Sequence, residues 1–194
     1  MNIQQIKQYI LEQGSDSINI FGGAYEGGIH LQQDRDEISE ILNFLLNQKN
    51  FNSMLEIGSA AGANAKVFYE ILKLNELFII DDNQHGKHHF RKNNLINTNY
   101  KEFVGNSQSK EAVDWLESFE KKFDIIYIDG DHSYEGAKKD VENYLRFLTN
   151  DGFVIFHDTI ICEGVVLLTN ELGNFGLKEA FSSKIKFGIS IYKK

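Results

Sequence analysis

Apolar and polar positions along this chain switch repeatedly between two periods. Ile3, Ile6, Tyr9 and Ile10 recur at helical spacing and predict a short amphipathic helix over residues 1–13. Asp34 to Leu46 repeats that spacing, with Ile38, Ile41, Leu42 and Leu45 on the buried stripe. Asp34 stands where a helix is capped and Glu37 follows three residues on, the arrangement of a capping box. Short apolar runs then alternate with helical segments. Strands are predicted at 53–57, 77–80, 101–105, 123–128 and 153–156, and helices at 65–74, 111–119, 134–148 and 165–172. FDIIYI (123–128) is apolar without a clean alternation, as in a parallel strand covered on both faces. The tail, LKEAFSSKIKFGISIYKK, reads as two strands around Ser182 to Lys184, the last over 187–192.

Strands alternating with helices predict an α/β fold: a Rossmann-like, doubly wound sheet of about seven strands, mostly parallel, with helices on both faces. No repeat and no linker divides the chain, so 1–194 reads as one domain. Residues 14–30 carry five glycines and no periodicity. That stretch is a loop, either a surface excursion or, with the first helix, a flap over an active site.

Composition narrows the partners. The 194 residues are 42% hydrophobic and 25% charged, the range of a globular chain. A net charge of −8 argues against a nucleic-acid backbone or an anionic membrane as partner. The single cysteine, Cys162, excludes an internal disulfide and a cysteine-rich zinc site. The first residues lack the apolar core of a signal peptide, and no apolar run has membrane-spanning length. A cytoplasmic setting is the expectation. HGKHHFRKNN groups three histidines with basic residues but without carboxylates at ligand spacing, and reads as a solvated segment initiating a helix.

The polar clusters fall after strand ends: Glu56–Gly58, Asp81–Asp82, Asn106–Ser107, Asp129–His132 and His157–Thr159. In an open α/β sheet those ends form the ligand crevice. SMLEIGSAAGAN (53–64) is a strand, a small-residue turn and a helix start, the geometry that lets backbone approach a nucleotide-like ligand. Asp81 ends the next strand, where a carboxylate can accept both ribose hydroxyls of an adenosine. The turn lacks the G-x-G-x-x-G of a dinucleotide site, and Glu56 would repel a pyrophosphate while tolerating a sulfonium. S-adenosylmethionine is favoured over NAD. Asp129, Asp131, His132, His157 and Asp158 offer carboxylates and imidazoles for a divalent cation or for acid–base work. Asp131 also fits a helix cap, and His157 a packed, hydrogen-bonded histidine.

At these residues the chain resembles class I S-adenosylmethionine-dependent methyltransferases. More narrowly it is similar to small-molecule O-methyltransferases of the cephalosporin-hydroxylase and macrolide-sugar type. LEIGSAAGAN, FIIDDN, FVGNS and above all FDIIYIDGDHSYEGAKKDVENYLRFLTNDGFVIFHDT carry the resemblance, and GISIYKK fits that family's last strand, which is antiparallel. The resemblance implies that Glu56, Gly58, Ser59, Ala60 and Gly62 line the methionine part of the cofactor. It places Asp81 on the ribose, Asn106 and Ser107 by the adenine, and Asp129 on both cofactor and metal. His157 and Asp158 complete the metal site, although His157 departs from an all-oxygen magnesium cage and admits a softer divalent cation, or none.

His132 matches the general base of the sugar-methylating relatives. The implied reaction is O-methylation of a small hydroxyl compound such as a sugar, with or without a divalent cation, in a chain that binds neither nucleic acid nor membrane; a homo-oligomer is left open. Two rivals stand beside it: a non-catalytic module that keeps the cofactor, and an NAD-linked oxidoreductase.

Overall fold

The computed structural model describes residues 1–22 and 27–194. Helices α1 (Ile3–Gln13), α2 (Ile18–Phe21) and α3 (Arg35–Leu46) precede the first strand, β1 (Ser53–Ile57). There follow α4 (Ala63–Leu72), β2 (Glu76–Asp81), α5 (Arg91–Asn94), β3 (Tyr100–Val104), α6 (Lys110–Glu117) and β4 (Phe123–Ile128). The chain continues through α7 (Tyr134–Tyr144), β5 (Leu148–His157), α8 (Glu163–Thr169), β6 (Lys178–Ser183) and β7 (Ile189–Lys193). The seven strands form one sheet in the order β3-β2-β1-β4-β5-β7-β6. β1 to β5 run parallel, and β7 is antiparallel to both of its neighbours.

Alternation along each strand sends side chains to two cores. Met54, Ile125, Tyr127 and Ile155 pack with the apolar stripes of α1, α3 and α4. Leu55, Ile57, Ile126, Ile128 and Val154 pack with α6, α7 and α8. Every residue of β1 and β2 is buried, as both-face coverage requires. Ile57 pairs with Ile80 and Ile128, and Ile128 pairs with Phe156. The carboxyl ends of β2, β1, β4 and β5 therefore stop at one level, and the residues after them line one edge.

Three sequence expectations change. Residues 14–30 hold a short helix, α2, and a bridge from Ser15 to Leu31; residues 23–26 of the expected flap lie outside the described residues. The helix expected over 134–148 stops at Tyr144, and Leu148 already pairs with Phe123. The register then jumps to Phe153 opposite Ile125, so 149–152 bulge out of β5. Third, Glu37 does not close a capping box. Asp34 caps α3 by accepting from the Asp36 and Glu37 N–H groups. The fully buried Glu37 carboxylate instead accepts the N–H groups of Ile185, Lys186, Phe187 and Gly188 at 2.8–3.0 Å. It ties the β6–β7 turn to α3. Replacing Glu37 by Ala strands four donors at once, and chemical denaturation should show a loss of about 3 kcal/mol. An unchanged midpoint would show that the turn holds its shape without the carboxylate.

No described helix is long and apolar enough to cross a membrane.

Candidate active site

The sheet order reverses between β1 and β4, and a cleft of about 680 Å³ opens there. Its floor is the turn after β1. Gly58 has φ 76° and Gly62 has φ 71°, and Ala60 sits in the same left-handed region at 45°. A Cβ on Gly58 would lie 2.6 Å from the Asp129 carbonyl carbon and 2.7 Å from the Gly130 Cα, and nearer still to the Asp129 oxygen. Position 58 is glycine because two strand ends meet there backbone to backbone.

Glu56, one residue before the end of β1, lies beneath this turn. It is buried and accepts hydrogen bonds from Ser59 Oγ and, at 2.6 Å, from Asn64 Nδ2. Burial pushes its carboxyl up to about 7, against the pull of those two donors. Glu56 thus braces the turn from behind while still lining the cleft.

Asp81 performs a similar task from β2. One carboxylate oxygen accepts the N–H groups of Ser59 (2.7 Å) and Ala60 (2.9 Å). The other accepts from Asn83 N at 2.8 Å and meets Arg91 Nη2 at 2.6 Å. Burial opposes its ionisation, but the Arg91 charge and the three N–H groups hold its carboxyl below the usual range. Three N–H groups and the Arg91 charge thus share the carboxylate expected on the ribose. Asp82 stands exposed on the cleft beside it, with Gln84 N on one oxygen only.

Arg91 was hidden in the run read as solvated. Its guanidinium is buried and also donates to Ala60 O at 3.0 Å and Asn83 Oδ1 at 3.0 Å. His88 and His89 lie in a 3-10 turn leading into α5, as a helix-initiating segment should.

Asn106 and Ser107, after β3, line the cleft on the far side of the turn. Ser107 Oγ donates to Asp140 Oδ1 at 2.7 Å, and Tyr144 donates to the Ser107 carbonyl. Asp140, on α7, is fully buried and its second oxygen has no hydrogen-bond partner among the described residues. Burial pushes its carboxyl up to about 7, opposed by the Ser107 bond and helped by Asp131. An unfolded aspartate titrates near 4. Between those values the folded chain keeps a proton that the unfolded chain has lost, so this group's stabilisation is full at acid pH and disappears towards about 7. Glu56 acts in the same direction. The Asp140→Asn variant should therefore lose less melting temperature than the wild type between about pH 5 and 8. Parallel curves for the two proteins would show that Asp140 ionises freely.

A further polar cluster lies beyond β4 and β5. Asp131 does not cap α7; it accepts from Ser133 N at 2.9 Å and from Gln108, and Ser133 is the cap. His132 Nε2 lies 3.1 Å from Asp129 Oδ1 and 3.4 Å from Asp158 Oδ2. His157 Nδ1 lies 3.4 Å from Asp129 Oδ1 and 3.3 Å from Asp158 Oδ1. Two imidazoles and two carboxylates thus alternate around a closed ring. Burial works against the charges of Asp129, His132 and His157. The two histidines nevertheless hold Asp129 well below its ordinary value, and the two acids raise buried His157 well above its own. His132, half-exposed on the cleft, is raised first by its bond to Asp129. Gln33 adds a contact that nothing in its polar neighbourhood announces: it donates to Asp129 Oδ2 at 3.3 Å and accepts from the buried Tyr127 hydroxyl at 3.2 Å.

Asp129, His157 and Asp158 each offer one donor atom within 4.8 Å of the others. The set is two oxygens with a buried imidazole nitrogen between them. Magnesium, which takes oxygen ligands in near-ideal octahedra, does not suit it. The two acids beside the buried His157 ring favour its protonated form, which offsets part of their charge.

Known proteins share this fold. Residues 55–159 match the family model described as a methyltransferase domain. The chain is 23% identical over 146 residues to uncharacterized protein R132 of Acanthamoeba polyphaga mimivirus, over 72% of this chain and 62% of that protein. This chain thus matches less than two thirds of that relative's length. The fold is similar to that of the O-methyltransferase TomG from Streptomyces achromogenes, solved with SAM (TM-score 0.66, 13% identity, 95% of this chain and 88% of that one). It is also similar to an O-methyltransferase from Bacillus cereus solved with SAH (TM-score 0.61, 16% identity, 79% and 78%). With the turn, the strand-end acids and the β4–β5 edge all inside the matched span, the chain belongs to the methyltransferase-domain family.

Proposed function

We propose that this chain methylates a hydroxyl of a small molecule, using S-adenosylmethionine as the methyl donor. One observation carries the reading: His132 stands between two carboxylates in the same cleft whose floor is the Gly58–Gly62 turn. The cleft has the size of a small-molecule site. When bound, S-adenosylmethionine supplies an electrophilic methyl group on a cationic sulfur.

The chain's residues do the rest. Gly58, Ser59, Ala60 and Gly62 let backbone lie along the methionine part, with Glu56 behind them. Asp81 fixes the turn, and with Asp82 it presents acid to the ribose. Asn106 and Ser107 flank the adenine. Asp129 faces both the cofactor side and His132. His132 receives the proton of the acceptor hydroxyl, so that the oxygen can form its bond to the methyl carbon. Asp129 and Asp158 stabilise the imidazolium that results. The donor set does not match magnesium, so no step here uses a cation. A polyol or sugar acceptor suits the polar rim of Gln32, Gln33 and Gln108, and Phe187 offers an apolar wall for one ring face.

Calorimetric titration with S-adenosylhomocysteine, followed by labelled methyl transfer to a panel of sugars and other hydroxyl compounds, tests the reading. Binding with transfer supports it. Binding without transfer to any acceptor favours the non-catalytic module, and NADH binding without S-adenosylhomocysteine binding overturns the cofactor assignment.

A further inference from the structure

Cys162 joins a second group of donors at the edge of the cleft. Its Sγ, an Asp158 oxygen and a His132 ring nitrogen lie within 4.8 Å of one another. The backbone builds this group in two ways. Asp158 adopts φ 59°, and its carbonyl accepts the Cys162 N–H at 3.1 Å, closing a turn that brings the thiol back to the Asp158 carboxylate. Gly164 then lets α8 lie directly against the entry to α7. A Cβ there would lie 2.6 Å from the Ser133 carbonyl carbon and closer still to His132 O and Tyr134 N. Cys162 is the N-cap residue of α8 but makes no side-chain capping bond, so its sulfur is not engaged there.

We propose that His132, Asp158 and Cys162 form a binding site for a zinc-class divalent cation. Imidazole nitrogen, carboxylate oxygen and thiolate sulfur are the donors of borderline cations, and three protein ligands leave a fourth position for water. Magnesium is excluded by the same chemistry. Bonds of about 2.0–2.3 Å bring tetrahedral donors to roughly 3.3–3.8 Å from one another. His132 and Asp158 already stand at 3.4 Å, and the partly exposed Cys162 side chain supplies the remaining movement. On binding, the thiol proton leaves to solvent as the sulfur takes up the metal. The cation also occupies the nitrogen lone pair that proton transfer needs. Zinc therefore inhibits methyl transfer; that consequence depends on His132 being the base, whereas the site itself does not.

Cobalt(II) titration of the full chain tests the site without any methyl acceptor. The wild type should bind one equivalent and develop near-ultraviolet thiolate-to-cobalt absorption, erased by equimolar zinc and untouched by excess magnesium. The chain has one cysteine, so this band reports Cys162 alone. Cys162→Ser should abolish the band and weaken zinc binding roughly tenfold or more. His132→Gln should keep the band and weaken binding by a similar factor. A missing band in the wild type, zinc affinity unchanged in either variant, or displacement of cobalt by magnesium overturns the proposal.

Discussion

Replacing Gly58 by Ala is expected to cost S-adenosylhomocysteine binding about a hundredfold or more, and to lower the melting temperature by roughly 6–12 °C. The new methyl would sit 2.6 Å from the Asp129 carbonyl carbon and 2.7 Å from the Gly130 Cα. These are backbone atoms of a strand end, not the tip of a flexible side chain. They move only if β1 and β4 part, and the two strands are in register up to Ile57 and Ile128. Left-handed φ at a residue with a Cβ adds about 1–2 kcal/mol, and overpacking of this kind costs about 1–3 kcal/mol. The sum of about 3 kcal/mol sets the thermal shift. The binding loss follows because the turn that must yield is the cleft floor. Calorimetry and thermal melts on the purified variant decide the matter; wild-type affinity in Gly58→Ala would show that the ligand does not use this turn.

His132→Gln should behave differently. Its methyl-transfer rate should fall by about 10²–10⁴-fold while S-adenosylhomocysteine affinity and melting temperature stay near the wild type. Glutamine keeps polar contact with Asp129 and Asp158 but accepts no proton at neutral pH. The side chain is 40% exposed, so its loss opens no cavity in either core. The split between rate and binding is the informative part. A variant that loses rate only because it loses cofactor would place His132 in binding rather than in proton transfer. A variant with undiminished rate would remove it from the mechanism.

Much of this molecule was legible in the chain because it depends on local pattern. The apolar runs and helical stripes specify parallel strands between helices, since each must bury its own apolar face. Polar residues that interrupt the pattern directly after strands were bound to reach one edge, because parallel strands share a direction. That is why Gly58, Asp81, Asn106, Asp129 and His157 were placed together without coordinates.

What each side chain does at that edge was decided by long-range contacts. Glu37 has the spacing of a capping residue, yet its carboxylate holds residues 185–188, which no local rule connects to it. Arg91 looks solvated among histidines and lysines, yet the β2 end and the turn enclose it because Asp81 and Ala60 offer it charge and a carbonyl. Asp81 reads as a ribose ligand from its position, and only the fold shows that its carboxylate also holds the turn amides and Arg91. Cys162 reads only as a single cysteine with no disulfide partner, until the fold brings its thiol within 4.8 Å of His132 and Asp158 donor atoms. The sequence by itself determined the sheet, its two apolar faces and the edge that carries the cleft, because hydrophobic period acts over a few residues. Only the tertiary structure decided which polar groups brace that edge and which face the cleft, because a charge or hydrogen-bond donor takes whichever partner the fold brings within about 3 Å.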